Sequence, residues 1–157
     1  MLGTLVGCNR RGADPLEWRV QGRTPRLLQN WVDETIRRMP PELAKEYSDA
    51  VVTILNLTPR PNTQKPNEPN DPLCRRLDQR TVREIIIEAD ALEINEHRNT
   101  ISNEYTNLTR FLQIPDLTAK QTESLERRKT RSEKYIKDIE QTIARKNERI
   151  AELTKKN

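Results

Sequence analysis

Histidine occurs once in the 157 residues, cysteine twice and glycine four times, and no glycine follows Gly22. These scarcities remove whole classes of chemistry. A structural zinc site needs four cysteine or histidine ligands, and Cys8, Cys74 and His97 make only three. A phosphate-cradling loop or a dinucleotide fingerprint needs glycines between a strand and a helix. Gly3, Gly7, Gly12 and Gly22 form no such pattern. A Ser-His-Asp or Cys-His arrangement would have to use His97. No serine or cysteine lies within helical reach of it, so His97 reads as a solvated helix residue. No enzyme activity, cofactor or metal is expected.

Apolar residues are equally short, at 33% of the chain, where a globular domain has about 45–50%. Mean hydropathy is -0.93. The aromatic residues are Trp18, Trp31, Tyr47, Tyr105, Phe111 and Tyr135, 4% of the total. A large compact core is excluded by this supply, whereas helices sharing narrow apolar seams need few apolar residues per turn. No stretch approaches the roughly 18–20 consecutive apolar residues that span a bilayer as a helix. The predicted class is all-α: a short N-terminal helical pair followed by a long antiparallel coiled-coil hairpin.

Charge is abundant, at 33% of residues, with a net +4. The excess is placed unevenly. Residues 119–157 carry 12 basic and 7 acidic side chains, a net +5, against -1 for the rest.

Residues 1–23 read as a leader remnant and extended tether. Leu5-Val6-Gly7-Cys8 has a branched apolar residue three before a cysteine and a small residue next to it. A polar stretch, Asn9 to Pro15, follows. The four residues resemble the lipobox of bacterial lipoproteins. That resemblance implies cleavage before Cys8, a diacylglyceryl group on its sulfur, and a periplasm-facing protein attached to a membrane of the cell envelope. The seven residues before Cys8 include no basic one, so the basic start of a secretory signal is not among them. The alternative is a cytoplasmic protein in which the match is fortuitous. Leu16 to Gln21 alternates apolar and polar residues, as a short strand or an extended arm would.

Residues 24–57 predict a two-helix unit. Thr24 caps the first helix and Pro25 suits its first position. Leu28, Trp31, Val32, Thr35, Ile36 and Met39 share a face. Pro40-Pro41 ends that helix and opens the next, whose stripe is Leu43, Tyr47, Ala50, Val51, Ile54 and Leu55. Residues 58–72 hold Pro59, Pro61, Pro66, Pro69 and Pro72 among polar residues and read as a linker.

The last segment, 73–157, predicts the long hairpin. Leu73 to Arg80 reads as an extended lead-in. Thr81-Val82-Arg83-Glu84 matches a capping box opening a helix over 81–113. Its apolar positions are Val82, Ile85, Ile86, Ala89 and Leu92, then Ile101, Tyr105, Leu108, Phe111 and Leu112. Ile114-Pro115 ends it. Thr118 to Gln121 is a second capping box, opening a helix over 118–155. Heptad spacing gives Leu125, Ile136, Ile139, Ile143, Ile150 and Leu153 as seam residues, with Lys129, Ser132 and Lys146 as polar breaks. Such a seam requires a partner helix. The preceding helix is the nearest candidate, and a second copy of the chain or another protein is the alternative.

Three further features have a functional and a plain reading. Arg127, Arg128, Lys129, Arg131 and Lys134, with Lys137, form a basic cluster suited to phosphate, in nucleic acid or lipid headgroups. The plain reading is a solvated face compensated by nearby acidic residues. Glu84, Glu88, Asp90, Glu93 and Glu96 form an acidic run that reads as solvated. Cys74 stands free, bridges two chains or pairs with Cys8. The function expected is non-enzymatic: a lipid-anchored envelope protein with a structural or adaptor role. The alternative is a cytoplasmic coiled-coil protein binding nucleic acid through its basic C-terminal helix.

Overall fold

The computed structural model of the protein describes residues 14–57, 71–115 and 117–155. Cys8 and residues 58–70 of the expected linker lie outside them. The fold is all-α, with five α-helices among the described residues: α1 Pro25–Ile36, α2 Pro41–Leu57, α3 Pro72–Leu77, α4 Val82–Leu112 and α5 Ala119–Lys155. A single 3-10 turn, Pro15–Glu17, precedes them. The chain divides into two compact units, residues 1–89 and 90–157, so the division falls inside α4.

In the first unit the helices begin where side chains satisfy the free backbone N–H groups. The Thr24 hydroxyl accepts from Leu27 N–H at 3.3 Å, and Pro25 follows at the first helical position. α2 also begins with a proline, Pro41. The start of α4 packs against α2. Val20, Tyr47, Ile54, Leu77, Val82 and Ile85 are fully buried and make the core. Trp31 meets Tyr47 edge to face, with ring centroids 5.7 Å apart.

Two segments differ from or sharpen the sequence expectation. Leu73 to Arg80 is not an extended lead-in, because Pro72–Leu77 is helical. The Asp71 carboxylate accepts from Leu73 N–H at 2.8 Å and Cys74 N–H at 3.3 Å, with Pro72 at the first position. An acidic cap and a proline thus start a helix whose buried residues, Cys74 and Leu77, are three apart. Residues 18–20 form an extended arm rather than a strand. The arm makes one isolated antiparallel bridge, Arg19 with Thr81. Val20 N–H donates to Arg80 C=O at 2.8 Å, and Val82 N–H donates to Trp18 C=O at 3.0 Å. The turn between α3 and α4 needs Gln79 at φ 62°, a left-handed conformation uncommon outside glycine and asparagine. Its N–H donates to Val20 C=O at 2.9 Å, and its carbonyl accepts from the Arg19 guanidinium at 2.8 Å, which fixes that conformation.

Both expected capping boxes form. Glu84 N–H donates to the Thr81 hydroxyl at 3.2 Å, while Thr81 N–H donates to the Glu84 carboxylate at 2.8 Å. Gln121 N–H donates to Thr118 Oγ1 at 3.4 Å, and Thr118 N–H donates to Gln121 Oε1 at 2.8 Å. These boxes set the first residues of α4 and α5.

The second unit is an antiparallel helical hairpin. The 31 residues of α4 and 37 of α5 correspond to rods of about 46 and 55 Å at 1.5 Å per residue. In α5 the sheltered positions are Leu125, Lys129, Ser132, Ile136, Ile139, Ile143, Lys146, Ile150 and Leu153, with Thr142 and Arg149 at the margin. They recur in alternating steps of four and three. The matching line on α4 is Asp90, Ile94, His97, Ile101, Glu104, Leu108 and Phe111. Tyr105 and Leu112, expected on the apolar stripe of α4, are exposed instead. They sit one position beyond Glu104 and Phe111, off the line that faces α5.

Candidate functional site

The hairpin's polar seam residues fix its register. Lys146 Nζ lies 2.6 Å from Asp90 Oδ1 and 2.8 Å from Glu93 Oε2. The Ser132 hydroxyl donates to Glu104 Oε2 at 3.0 Å. From Ser132 to Lys146 is fourteen residues forward, and from Glu104 to Asp90 fourteen back. Both pairs therefore belong to one antiparallel register, two heptads apart. Burial alone pulls the Lys146 ammonium pKa down, but the hydrogen bonds and charges of Asp90 and Glu93 outweigh it and hold the pKa above its ordinary value.

The acidic run on α4 is largely engaged within the chain. Glu84 serves the cap, and its hydrogen bonds with Thr81 hold its carboxyl below the usual range despite partial burial. Glu88 pairs with Arg76 and Arg80. Asp90 and Glu93 hold Lys146. Glu96 is exposed. No group of three or more candidate metal ligands occurs among the described residues. His97 is half-buried at a seam position rather than solvated, because its place in the alternating four-three line faces α5.

Cys74 is buried, and that desolvation, with Asp71 and Asp78 nearby, pushes its thiol up to about 11. Thiolate chemistry needs a lowered pKa and access, so this thiol is held in its unreactive form. Arg83 is the buried cation of the first unit: its Nε donates to Glu17 Oε1 at 2.8 Å, and Asp14 lies 3.9 Å away. The Tyr47 hydroxyl is buried with no hydrogen-bond partner among the described residues, and burial pushes its pKa up.

The basic cluster lies along the half of α5 nearest the turn. Arg127, Arg128, Arg131 and Lys134 are exposed, and Lys129 is half-buried on the seam. Arg127 pairs with Glu123 at 2.6 Å, one helical turn back, with both side chains open to solvent. Arg128 instead lies over the Phe111 ring, 3.9 Å from its centroid. A shallow depression on this face is lined by Lys120, Glu123, Ser124, Arg127, Arg128 and Arg131. Arg131 and Lys134 have no ion-pair partner among the described residues, so the outward edge of the cluster offers uncommitted cations. Of the expected seam residues, Ile136, Ile139 and Leu153 are buried, and Leu125, Ile143 and Ile150 are half-buried.

Sequence reasoning missed the polar half of the seam on α4. Asp90, His97 and Glu104 carry no hydrophobic signal. The α5 partners of Asp90 and Glu104, Lys146 and Ser132, were visible as breaks in an otherwise apolar repeat. That complementarity was the available signal. Comparison with models of protein families, with curated proteins and with solved structures finds no match for this chain.

Proposed function

We propose that the chain is a non-enzymatic, lipid-anchored protein of the bacterial cell envelope, attached through Cys8, with a coiled-coil hairpin as its interaction arm. The observation that carries the arm is the paired polar seam. Lys146 with Asp90 and Glu93, and Ser132 with Glu104, satisfy the seam inside one chain. A hairpin closed in this way keeps its outer faces for another macromolecule. The lipobox-like Leu5-Val6-Gly7-Cys8 supports the anchor.

The test is the intact mass of the protein expressed from its own locus, together with membrane fractionation of Cys8→Ser. A mass beginning at Cys8 with added acyl chains is expected, with detergent-dependent solubility that Cys8→Ser loses. An unmodified Cys8, or a Cys8→Ser chain as membrane-bound as the parent, would overturn the anchor.

The exposed Arg131 and Lys134 favour a second reading, a cytoplasmic protein that binds nucleic acid through α5. That reading requires binding that weakens steeply with salt, because each neutralised phosphate releases counterions.

A further inference from the structure

We infer that the turn end of the hairpin is a docking surface for an anionic lipid bilayer. This deepens the envelope reading by naming what the arm touches, and it rests on that reading for the compartment. Residues 110–137 carry eight basic and four acidic side chains, a net +4 that equals the charge of the whole chain. All the excess positive charge is thus gathered around one end of one hairpin, and the remaining residues balance.

The placement of those charges selects a surface. Lys120, Arg127 and Lys134 repeat every seven residues, and Arg131 lies between the last two. They run straight along the outside of α5 for about 20 Å. Glu126 and Glu133 stand at seven-residue spacing too, but one position before Arg127 and Lys134, toward the flank. A polyanion wrapped around the helix would meet those carboxylates. Between Lys120 and Lys134 the outermost line carries one carboxylate, Glu123, which is paired with Arg127, so a flat plane of headgroups meets a line that is basic in sum.

A second observation favours lipid over nucleic acid. At the same end, Leu112 is 63% exposed and Ile114 46% exposed. Two large aliphatic side chains beside the turn, with Arg110 and Lys120 on either side of them in sequence, suit the boundary between headgroups and acyl chains. Single-strand binding would instead use exposed aromatic residues interleaved with the basic ones, and here Phe111 is half-buried under Arg128 while Tyr135 alone is exposed.

The experiment uses the full chain carrying Cys8→Ser, so that no acyl chain contributes, and co-sedimentation with vesicles. The vesicles are phosphatidylcholine alone or with one-third phosphatidylglycerol. Binding is expected only to the anionic vesicles, with release on raising the salt from 0.05 to 0.5 M. Each basic residue near such a surface strengthens partitioning by about fivefold. The variant Arg127→Gln/Arg131→Gln/Lys134→Gln should therefore bind on the order of a hundredfold more weakly. Leu112→Ser/Ile114→Ser should weaken binding severalfold, and Arg145→Gln/Lys155→Gln should leave it unchanged. All substituted side chains are exposed, and circular dichroism checks that each variant keeps its helices. Three results would overturn the inference: equal binding to neutral vesicles, equal loss in the Arg145/Lys155 variant, or preferential capture by a DNA duplex in competition. Failure here leaves the mass of the native Cys8 species untouched, so the anchor and the docking surface are judged separately.

Discussion

Replacing Lys146 by methionine tests whether the hairpin's register is held by charge. Lys146 is 23% exposed, and its removal leaves Asp90, 13% exposed, without the cation it faces at 2.6 Å. Breaking a fully buried pair by removing one partner costs about 3–5 kcal/mol, while an exposed pair is worth about 0–1 kcal/mol. The partial exposure of this pair places the expected loss at about 2 kcal/mol, between those limits. Replacing Asp90 as well removes the more buried of the two stranded carboxylates and leaves Glu93, which is 33% exposed and reaches solvent. Lys146→Met/Asp90→Leu should therefore recover most of the loss, giving a coupling of about 1.5 kcal/mol in a double-mutant cycle. Urea unfolding followed by the helical signal measures all four corners. The pH dependence follows from the raised Lys146 pKa. A cation favoured by the fold contributes fully below the unfolded value of 10.5 and is lost as pH rises through the folded one. A Lys146→Met loss under about 0.5 kcal/mol, or strict additivity in the cycle, would refute a register lock.

Other substitutions probe the seam, the core and the thiol. Ile139→Lys puts a charge at a buried seam position and should lower the urea midpoint clearly, and more than Ile143→Lys, because Ile143 is only half-buried. Equal effects would mean that the register is wrong. Tyr47→Phe removes a buried hydroxyl without a described partner and should stabilise by about 1 kcal/mol. A loss of similar size would reveal a partner for that oxygen. In a Cys8→Ser background, Cys74 should resist iodoacetamide at pH 8 until urea unfolds the first unit. Its thiol is raised from 9.0 to about 11, so the unfolded chain ionises first. The thiol's part of the fall in stability between those two pH values is roughly 2–3 kcal/mol, and Cys74→Ala should remove that part and leave the shallower slope that Tyr47 and Lys146 give at higher pH. Rapid alkylation of the folded protein would contradict the burial.

Helix starts were legible because capping is local chemistry. Thr24-Pro25, Thr81 to Glu84 and Thr118 to Gln121 each place a hydroxyl where the backbone needs an acceptor. The seam of α5 was legible as well, since isoleucine and leucine repeat there at heptad spacing. The same method misplaced Tyr105 and Leu112. Hydrophobic pattern assigns apolar residues to the buried line, while in α4 that line passes through Asp90, His97 and Glu104. Only the partner helix reveals this, because Lys146 and Ser132 make Asp90 and Glu104 favourable there. The short α3 was also written in the sequence, as Asp71-Pro72. It was hidden by the proline-rich stretch before it, where one more proline reads as continuation rather than as a start. The candidate site was half legible. The basic residues could be enumerated, but which were committed, as Arg128 is to Phe111, depended on tertiary placement.

The clasp between the N-terminal arm and α4 has a mechanical consequence. Asp14 and Glu17 both face the Arg83 guanidinium, and residues 18–20 are bonded to the backbone of 79–82. Asp14 is six residues after Cys8, a reach of at most about 20 Å. If Cys8 is anchored as proposed, force on that anchor enters the described residues at the ion pairs of Arg83, on the first turn of α4. Such a pull would load the Arg83 ion pairs and the backbone bonds between residues 18–20 and 79–82 ahead of the buried side chains of the first unit.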